Sequence, residues 1–448
     1  MDPMTLRDVA SALTTGKLTP AEHVRQVLAD LDALDGTPWH NIVAARDDAA
    51  ALESAARADS EIAAGNWIGP LHGVAVAVKD NIDVAGMPTR CGSAVLDDAP
   101  PATTDARIIR KLREAGAIIV AKTHLHEFAY GPTGLVNASG PAAHPHEPGL
   151  ISGGSSSGSA VLVARGIVPV ALGTDTGCSV RTPAALCGIA GFKPGHGALP
   201  VDGAFPLSTT FDHVGLLAAD TLDVALAWGA IPGIAHLRTP VSGLRIGRLR
   251  GSIWDFPDPD FEAAVDAACR TLTDLGAEVV EVTLPETEEL LEVYPVVTGS
   301  EAYDTHREWF ESTPERYQPA TAALLAAQRD RPAYEYVRAV RTVSRLRRDV
   351  LDRLRKAEGL DALVTATTGI RSAPQNSDPL ALRRPLLEHC IPFSVLGVPA
   401  LSVPAPGGGT RPIGLQVVGL TAGTGGHGSH PAESTALAVA LAVETADG

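Results

Sequence analysis

The sequence lacks an excess of positive charge, since 36 lysines and arginines oppose 52 aspartates and glutamates for a net charge of −16. Nucleic acids and anionic membranes attract proteins through basic surfaces, so neither is expected to be a direct partner. The chain also lacks an apolar run of the ~18 residues that a membrane-spanning helix requires. Its first residues show no basic segment followed by an apolar one, the pattern of a secretory signal. These absences predict a soluble, cytoplasmic protein.

Cysteine is scarce, with five residues that are widely spaced and form no C-x-x-C pair. This pattern indicates free thiols rather than a disulfide framework or a zinc knuckle. The pairs His124 and His126, and His144 and His146, could suggest a metal site, but no carboxylate or cysteine shares their spacing. We therefore expect no metal and no other cofactor. Aromatic residues make up only 4% of the chain and do not indicate which substrate a pocket would hold.

Short apolar runs alternate with amphipathic helical patterns, and the 448 residues allow one large α/β unit. The runs Gly73–Val78, Ala117–Ala121 and Ile167–Leu172 are continuously apolar, which is typical of strands buried on both faces. We predict an α/β fold with a large mixed, twisted sheet that helices cover on both faces. Further elements are predicted as strands at Leu244–Leu249, Val279–Val282, Ala362–Thr365, Ala400–Val403 and Gly414–Val418, and a helix at Phe261–Leu275.

Two serine-glycine turns, Gly153–Ser159 and Gly173–Ser179, flank the third of these runs. Each could be merely a flexible loop, because serine and glycine are ordinary turn residues. Lys79 follows the first apolar run, where burial would lower its pKa and make the neutral amine available. In isolation, a surface lysine paired with Asp80 or Asp83 is the simpler interpretation. A serine hydroxyl needs a base before it becomes a good nucleophile, so the turns and the lysine together suggest nucleophilic catalysis.

Three segments that contain these residues closely resemble the defining segments of the amidase signature family, in the family's order and spacing. They are Gly73–Ser93, Gly153–Gly166 and Gly173–Pro194. Weaker similarity covers Lys122–Gly131 and Pro392–Gly419. The resemblance implies a single amidase domain over 1–448, with a catalytic core at about 70–220. A variable substrate region would follow at about 237–360, and C-terminal core strands at about 361–448.

The resemblance also implies a Ser-Ser-Lys catalytic triad and an acyl-enzyme that hydrolyses a carboxamide. By position, Ser179 is the nucleophile and Lys79 the base, while Ser155 bridges them and follows a cis peptide bond. Backbone N–H groups of the second serine turn would stabilise the oxyanion of the tetrahedral intermediate. These donors would come from Thr176, Gly177, Cys178 and Ser179.

Five further residues are substrate-cleft candidates: Tyr130, Gly131, Gly153, Gly154 and Arg181. Tyr130 could equally belong to the core. Arg181 could bind a substrate carboxylate, although pairing with Asp175 across the turn is the favoured interpretation. Asp175 itself is interpreted as a cap of the turn rather than a proton relay. The substrate is expected to be a small-molecule amide.

The chain departs from the family pattern at four places. Cys178 stands where a glycine usually precedes the nucleophile, and Ser157 replaces a glycine of the first serine motif. The turn Gly195–Gly197 replaces one that contains threonine, and His124 stands where asparagine is common. None of these departures removes a catalytic group, but each could change the substrate preference.

Several alternatives stay open at this point. The segment Gly154–Gly158 fits the nucleophile elbow of α/β-hydrolases with Ser156 as nucleophile, but hardly any strand precedes it. The family also includes the glutaminase-like subunit of aminoacyl-tRNA amidotransferases, against which the departures at Cys178 and at Gly195-His196 argue. A third alternative for the function is a catalytically silent binding protein. As to its association, the chain could form a homodimer. The glycine-rich stretch Thr421–Pro431 is interpreted as a surface loop, because no Lys-Ser/Thr pair follows it as in a P-loop.

Overall fold

The computed structural model describes residues 4–234, 240–407, 409–421 and 431–445, and a single sheet is the centre of this part of the chain. Its strands are β1 (Val43–Ala45), β2 (Ala75–Lys79), β3 (Ile118–Thr123), β4 (Val170–Thr174), β5 (Ala190–Lys193), β6 (Val214–Ala218), β7 (Arg245–Arg250), β8 (Glu278–Thr283), β9 (Ala362–Ala366), β10 (Ala400–Pro404) and β11 (Gly414–Gly419). The spatial order is β1-β3-β2-β4-β6-β5-β10-β11-β9-β7-β8. Strands β3, β2 and β4 run parallel, as do β8, β7 and β9, and the remaining pairs are antiparallel. The predicted mixed sheet is confirmed.

Helices cover both faces of this sheet, as predicted. They are α1 (Leu6–Thr14), α2 (Pro20–Asp32), α3 (Asp48–Ala63), α4 (Arg107–Glu114), α5 (Ser157–Ala164), α6 (Arg181–Cys187), α7 (Thr221–Ala230), α8 (Pro259–Asp274), α9 (Thr287–Ser312), α10 (Pro319–Ala326), α11 (Ala333–Asp352), α12 (Arg383–Leu387), α13 (Ile391–Leu396) and α14 (Pro431–Glu444). Residues of α1, α4, α7, α8 and α14 pack in a core on one face, and residues of α2, α3, α5 and α6 pack on the other. In the ranges given above, no helix combines the length and apolarity needed to cross a membrane.

The central strand β2 shows why a continuously apolar run predicts burial on both faces. Val76 and Val78 point into one core, while Ala75 and Ala77 point into the other, and all four are fully buried. Alternate side chains of a strand face opposite sides of the sheet, so both sets must be apolar here. The three predicted runs are β2, β3 and β4, none of them at an edge of the sheet.

The later predictions are confirmed as well, because β7, β8, β9, β10 and β11 and the helix α8 occupy the predicted places. The strands β1, β5 and β6 were not predicted. The glycine-rich stretch interpreted as a loop falls on residues 422–430, which lie outside the described part of the chain.

The topology brings the two serine turns and the lysine to one edge of the sheet. Strands β2 and β4 are parallel neighbours, with Val78 opposite Leu172, so their carboxyl ends lie side by side. Lys79 is the last residue of β2 and Thr174 the last of β4. The turn after β4 leads into α6, and the turn that contains Ser155 leads into α5. Such an edge is where open α/β sheets commonly bind ligands.

Candidate active site

Lys79 is the residue of the expected triad that carries a charge when protonated, and two hydroxyl groups lie within hydrogen-bond distance of its amine. Its side chain is fully buried. The Nζ atom donates hydrogen bonds to Ser155 Oγ and to Thr174 Oγ1, each at 2.7 Å, and to the Thr174 carbonyl at 3.3 Å. Asn81 Nδ2 also donates to Thr174 Oγ1, at 3.1 Å. These contacts hold the amine against the hydroxyl of Ser155.

The interpretation of Lys79 as the partner of Asp80 is wrong, because Asp80 pairs with a different lysine. Lys122 Nζ lies 2.8 Å from Asp80 Oδ1, with both side chains buried. Among the described residues, no carboxylate forms an ion pair with Lys79. Burial accordingly lowers the pKa of Lys79 from 10.5 to about 7, against the opposing influence of Asp175 and Asp212. A large part of the lysine is therefore neutral at physiological pH.

Ser155 is fully buried, and the Gly154–Ser155 peptide bond is cis, as the family resemblance implies. Its carbonyl accepts a hydrogen bond from the His126 N–H at 3.0 Å. The Ser157 hydroxyl, at the start of α5, donates to the same carbonyl at 3.4 Å. Ser155 is thus held between the preceding loop and α5 while its hydroxyl faces Lys79.

Ser179 lies in the turn before α6 and is the most accessible member of the expected triad. Its exposed fraction is 6%, whereas Lys79 and Ser155 are completely buried. The Ser179 carbonyl accepts a hydrogen bond from the Ser156 N–H at 3.1 Å, which joins the two serine turns directly. The nucleophile of an enzyme must meet its substrate, and Ser179 is the hydroxyl of this set that reaches the surface.

An unusual feature of the second serine turn is its set of unused backbone donors. Among the hydrogen bonds of the described residues, none uses the N–H of Thr176, Gly177, Cys178 or Ser179. Buried N–H groups in proteins are almost always paired, so four successive free ones in a buried turn indicate room for an external acceptor. The resemblance assigned these same groups to the oxyanion hole.

The turn is fixed by a buried ion pair between Asp175 and Arg181, the arrangement favoured from the sequence. Arg181 Nη2 lies 2.9 Å from Asp175 Oδ1, Arg181 Nε donates to Oδ2 at 3.0 Å, and both side chains are fully buried. Asp175 Oδ2 also accepts from the Val180 N–H at 3.0 Å, and so caps the turn. Burial alone would raise the pKa of Asp175, but Arg181 outweighs it and lowers the pKa to about 2.

Arg181 does not face a substrate. Its Nη1 donates to Gln416 Oε1 at 2.7 Å, and its Nη2 donates to the Gly177 carbonyl at 2.8 Å and to Ser394 Oγ at 2.7 Å. With the guanidinium directed at protein acceptors, its inclusion among the substrate-cleft candidates is corrected. Arg181 stabilises the turn through these hydrogen bonds.

The Cys178 thiol donates a hydrogen bond of 3.9 Å to the Gly154 carbonyl, which belongs to the peptide bond before Ser155. The Cys178 side chain is fully buried in an apolar cluster with Phe211 and Tyr294. Burial raises the pKa of the Cys178 thiol well above its ordinary value, so the thiolate is suppressed. The Cys178 thiol is therefore a poor nucleophile in this turn.

The glycines that were proposed to line the cleft allow close packing of the backbone. A Cβ on Gly131 would overlap the His126 ring, and one on Gly154 would lie 2.7 Å from the Gly134 nitrogen. Gly153 has a φ of +75°, and a Cβ there would lie 2.9 Å from Pro183 Cα. Only glycine fits these positions, which bring the loop 131–134 against the first serine turn. Tyr130, next to Gly131, is buried in a hydrophobic cluster.

Three residues of the alternative sites suggested by the sequence have other hydrogen-bond partners. Ser156 Oγ donates to the Thr174 carbonyl at 3.2 Å and so ties α5 to β4. His124 is hydrogen-bonded through Nε2 to the Gly140 carbonyl, and His144 through Nε2 to the Leu186 carbonyl, both at 2.9 Å. No group of three or more metal-ligating side chains occurs within the described ranges.

Three residues of the site, Thr174, Asn81 and Asp212, were not predicted from the sequence. Thr174 could have been found, since it lies two residues after the apolar run that becomes β4. Asp212 carried no signal, because it lies in a loop outside every motif. Its Oδ1 accepts from Thr176 Oγ1 at 2.5 Å, and its Oδ2 accepts from the Ser208 N–H at 3.0 Å. Burial raises the pKa of Asp212 to about 6.

Known proteins are similar to this chain over most of its length. A family model described as Amidase matches residues 22–423. A glutamyl-tRNA(Gln) amidotransferase subunit from Methanosarcina barkeri is 34% identical over 410 residues, which cover 82% of this chain and 84% of that protein. A crystal structure of an amidase is 33% identical with a TM-score of 0.85, covering 99% of this chain and 100% of the other. The native peptide amidase of Stenotrophomonas maltophilia is 29% identical with a TM-score of 0.82, covering 98% and 96%.

Proposed function

Because the chain belongs to the amidase family, we propose that it is an amidohydrolase that cleaves the carboxamide C–N bond of a small molecule. Ser179 is the nucleophile in this proposal, Ser155 the proton relay and Lys79 the base. The observation that carries it is the contact of 2.7 Å between Lys79 Nζ and Ser155 Oγ, made by a buried lysine whose pKa is lowered to about 7. A neutral amine in this position accepts the hydroxyl proton, as general base catalysis requires.

The reaction begins when Ser179 Oγ attacks the amide carbonyl carbon. The proton of Ser179 moves to Ser155 as the proton of Ser155 moves to Lys79 Nζ. The carbonyl oxygen becomes an oxyanion and binds the free N–H groups of the turn 176–179. Collapse of the tetrahedral intermediate breaks the C–N bond, and the leaving amine takes a proton back along the same relay. Water then repeats the sequence on the ester and releases the carboxylate.

Two features of the site support this assignment of roles. The free N–H groups of the turn 176–179 are in a buried environment, where hydrogen bonds to a developing charge are strong. Loss of one such donor typically costs about 10²–10³ in rate. Thr174 Oγ1 accepts hydrogen bonds from Lys79 Nζ and from Asn81 Nδ2, so the amine is held in position before the reaction begins.

The proposal is tested by measuring ammonia release from a panel of primary amides. We expect the purified chain to hydrolyse some of them, and Ser179→Ala to lose several orders of magnitude in kcat. Ser155→Ala is expected to keep residual activity, because water takes over part of the relay. Ser60→Ala, at an exposed serine of α3, is the control for preparation and folding. Activity that persists in Ser179→Ala would exclude Ser179 as the nucleophile.

A second function, the glutaminase-like component of an amidotransferase, is favoured by one observation. Relatives at 32–34% identity, including the one from Heliobacterium modesticaldum, are named as subunits of glutamyl-tRNA(Gln) amidotransferase. A component of this kind should hydrolyse glutamine poorly alone and gain activity with partner chains. We expect instead that the isolated chain acts on simple amides. Stoichiometric co-purification with a tRNA-binding protein from the native host would favour the amidotransferase.

A further inference from the structure

Thr176, the first residue of the oxyanion turn, is fixed through its side chain. The antiparallel pairing of β4 and β6 continues past the ends of these strands, where Asp175 and His213 exchange two backbone hydrogen bonds, of 2.8 and 3.1 Å. Thr176 and Asp212 come next, and here the side chains make the contact, because Thr176 Oγ1 donates to Asp212 Oδ1 at 2.5 Å. Among the described residues, nothing accepts from the Thr176 N–H. The side-chain contact thus takes the place of a backbone bond and leaves this N–H to an external acceptor.

The carboxylate of Asp212 joins the turn to the loop that precedes β6. Its Oδ1 accepts from Thr176, while its Oδ2 accepts from the N–H groups of Leu207 and Ser208 at 2.9 and 3.0 Å. The Asp212 N–H closes the loop with a bond of 2.8 Å to the Ser208 carbonyl. A pKa of about 6 leaves Asp212 mainly ionised at neutral pH, and hydrogen bonds to an ionised carboxylate are stronger than neutral ones. One side chain therefore fixes the loop and the turn relative to each other.

Two long helices hold this loop in place. Glu301 of α9 accepts hydrogen bonds from Ser208 Oγ and Thr210 Oγ1, both at 2.5 Å, and from the Thr210 N–H at 3.1 Å. Tyr336 of α11 donates to the same carboxylate at 2.9 Å, and Arg347 of α11 donates to the Thr210 carbonyl at 3.1 Å. The loop, with the carboxylate that it carries, therefore has a fixed position relative to α9 and α11.

The charge of Asp212 does not explain why a carboxylate lies next to this turn. Negative charge near a developing oxyanion repels it, and the same charge opposes the lowering of the Lys79 pKa. Both effects disfavour the reaction proposed above. The contribution of the carboxylate is instead one of position, because displacing a catalytic group by about 1 Å can cost about 10²-fold in rate. A Thr176 hydroxyl held at 2.5 Å limits how far the adjoining N–H groups can move.

We propose that Asp212 is a positioning residue for the oxyanion hole and acts through the hydroxyl of Thr176. It keeps the free N–H groups of the turn 176–179 directed at the place of the oxyanion. This inference rests on the proposed function, which assigns the oxyanion to this turn and gives no role to Asp212. Because the oxyanion exists only after Ser179 has attacked, the contact should raise kcat and leave substrate binding nearly unchanged.

The test compares Thr176→Val, which replaces the hydroxyl by a methyl group of similar size, with Thr176→Ser, which keeps the hydroxyl. On the best amide of the panel, we expect Thr176→Val to lower kcat by about tenfold to hundredfold, with KM within about threefold. Thr176→Ser should stay within about threefold of the unmodified protein in both constants. Thr209→Val, the same substitution at an exposed residue of the loop, is the matched control. An unchanged kcat in Thr176→Val, an equal loss in Thr176→Ser, or a change in KM alone overturns the inference.

A double-mutant cycle tests whether the effect belongs to Asp212. Asp212→Ala should lose at least as much in kcat as Thr176→Val, because it removes the acceptor and also releases the loop. The double variant should lose no more than Asp212→Ala alone, since both changes remove the same hydrogen bond. Losses that multiply in the double variant would mean that the two residues act independently, and would overturn the inference.

The rate of phosphonylation separates this inference from the proposed function. A fluorophosphonate develops negative charge on its phosphoryl oxygen when a serine attacks it, but it requires no amide substrate. Labelling that slows by about tenfold or more in Thr176→Val, and not in Thr176→Ser, supports the inference even if no amide is hydrolysed. Equal labelling rates in the three proteins overturn it, even if the chain proves to be an amidase. A chain that neither hydrolyses an amide nor becomes labelled overturns both proposals.

Discussion

Replacing Lys79 by methionine should change how the stability of the protein depends on pH. Burial lowers the pKa of Lys79 from 10.5 in an unfolded chain to about 7 in the folded one. Between these two values the unfolded state binds a proton that the folded state does not, so the free energy of unfolding rises with pH in this window. Below pH 7 both states are protonated, and above pH 10.5 neither is. Methionine binds no proton at any pH and removes this dependence.

The magnitude follows from the two pKa values. From pH 7.5 to pH 9.5, the free energy of unfolding of the unmodified protein should rise by roughly 2–3 kcal/mol relative to Lys79→Met. The buried Lys193, whose pKa burial also lowers to about 7, is present in both proteins and cancels in the comparison. The hydrogen bonds that Lys79 loses in the variant change its stability by a constant amount, which does not affect the slope.

Equilibrium urea unfolding of the two proteins at several pH values measures this difference. The same pKa should govern catalysis, with kcat/KM of the unmodified enzyme falling about tenfold per pH unit below pH 7. A stability difference that stays constant between pH 7.5 and 9.5 would mean that Lys79 is protonated in the folded protein. The assignment of Lys79 as a neutral base would then be refuted.

Three further predictions concern the turn around the nucleophile. Cys178→Gly should change kcat by less than about tenfold, because the buried thiol contacts apolar side chains and the Gly154 carbonyl but neither catalytic hydroxyl. A larger loss would assign the side chain a role. Arg181→Met should lower the free energy of unfolding by roughly 3–5 kcal/mol, because it leaves the buried Asp175 carboxylate unpaired. Urea unfolding measures this change. A decrease below about 1 kcal/mol would contradict the structural role of Arg181. Asp212→Asn should shift the acid limb of the pH profile of kcat/KM to lower pH, because the Asp212 charge raises the pKa of Lys79, and an unchanged limb would contradict that coupling.

The fold was predictable where strands are buried on both faces. Strands β2, β3 and β4 are continuously apolar because each contacts a core on either side. Strands β5 and β6, which were not predicted, have only four and five residues, and each contains a glycine. A Cβ on Gly215 would lie 2.5 Å from the Phe192 carbonyl oxygen, so these two strands can approach each other closely only with glycine at this position. Glycine is uncommon within strands and weakens the strand pattern of the sequence.

The contacts within the site were predictable only where they follow from adjacent strands. Lys79 and Ser155 belong to segments that resemble a family and lie at the ends of neighbouring elements. The contact between Thr176 and Asp212 joins residues 36 positions apart and depends on how a loop folds over the turn. The contact between Ser208 and Glu301 spans 93 positions and lies outside the three segments that carry the family resemblance. Neither has a local pattern, because tertiary packing alone brings the partners together.

The central claim is tested most directly by identifying the residue that a serine-reactive probe modifies covalently. The protein is treated with a fluorophosphonate, digested and mapped by mass spectrometry, with Ser179→Ala treated in parallel. We predict a single phosphonylated residue, Ser179, and no modification in Ser179→Ala. An adduct on Cys178 or Ser156, or equal labelling of the variant, would contradict the mechanism.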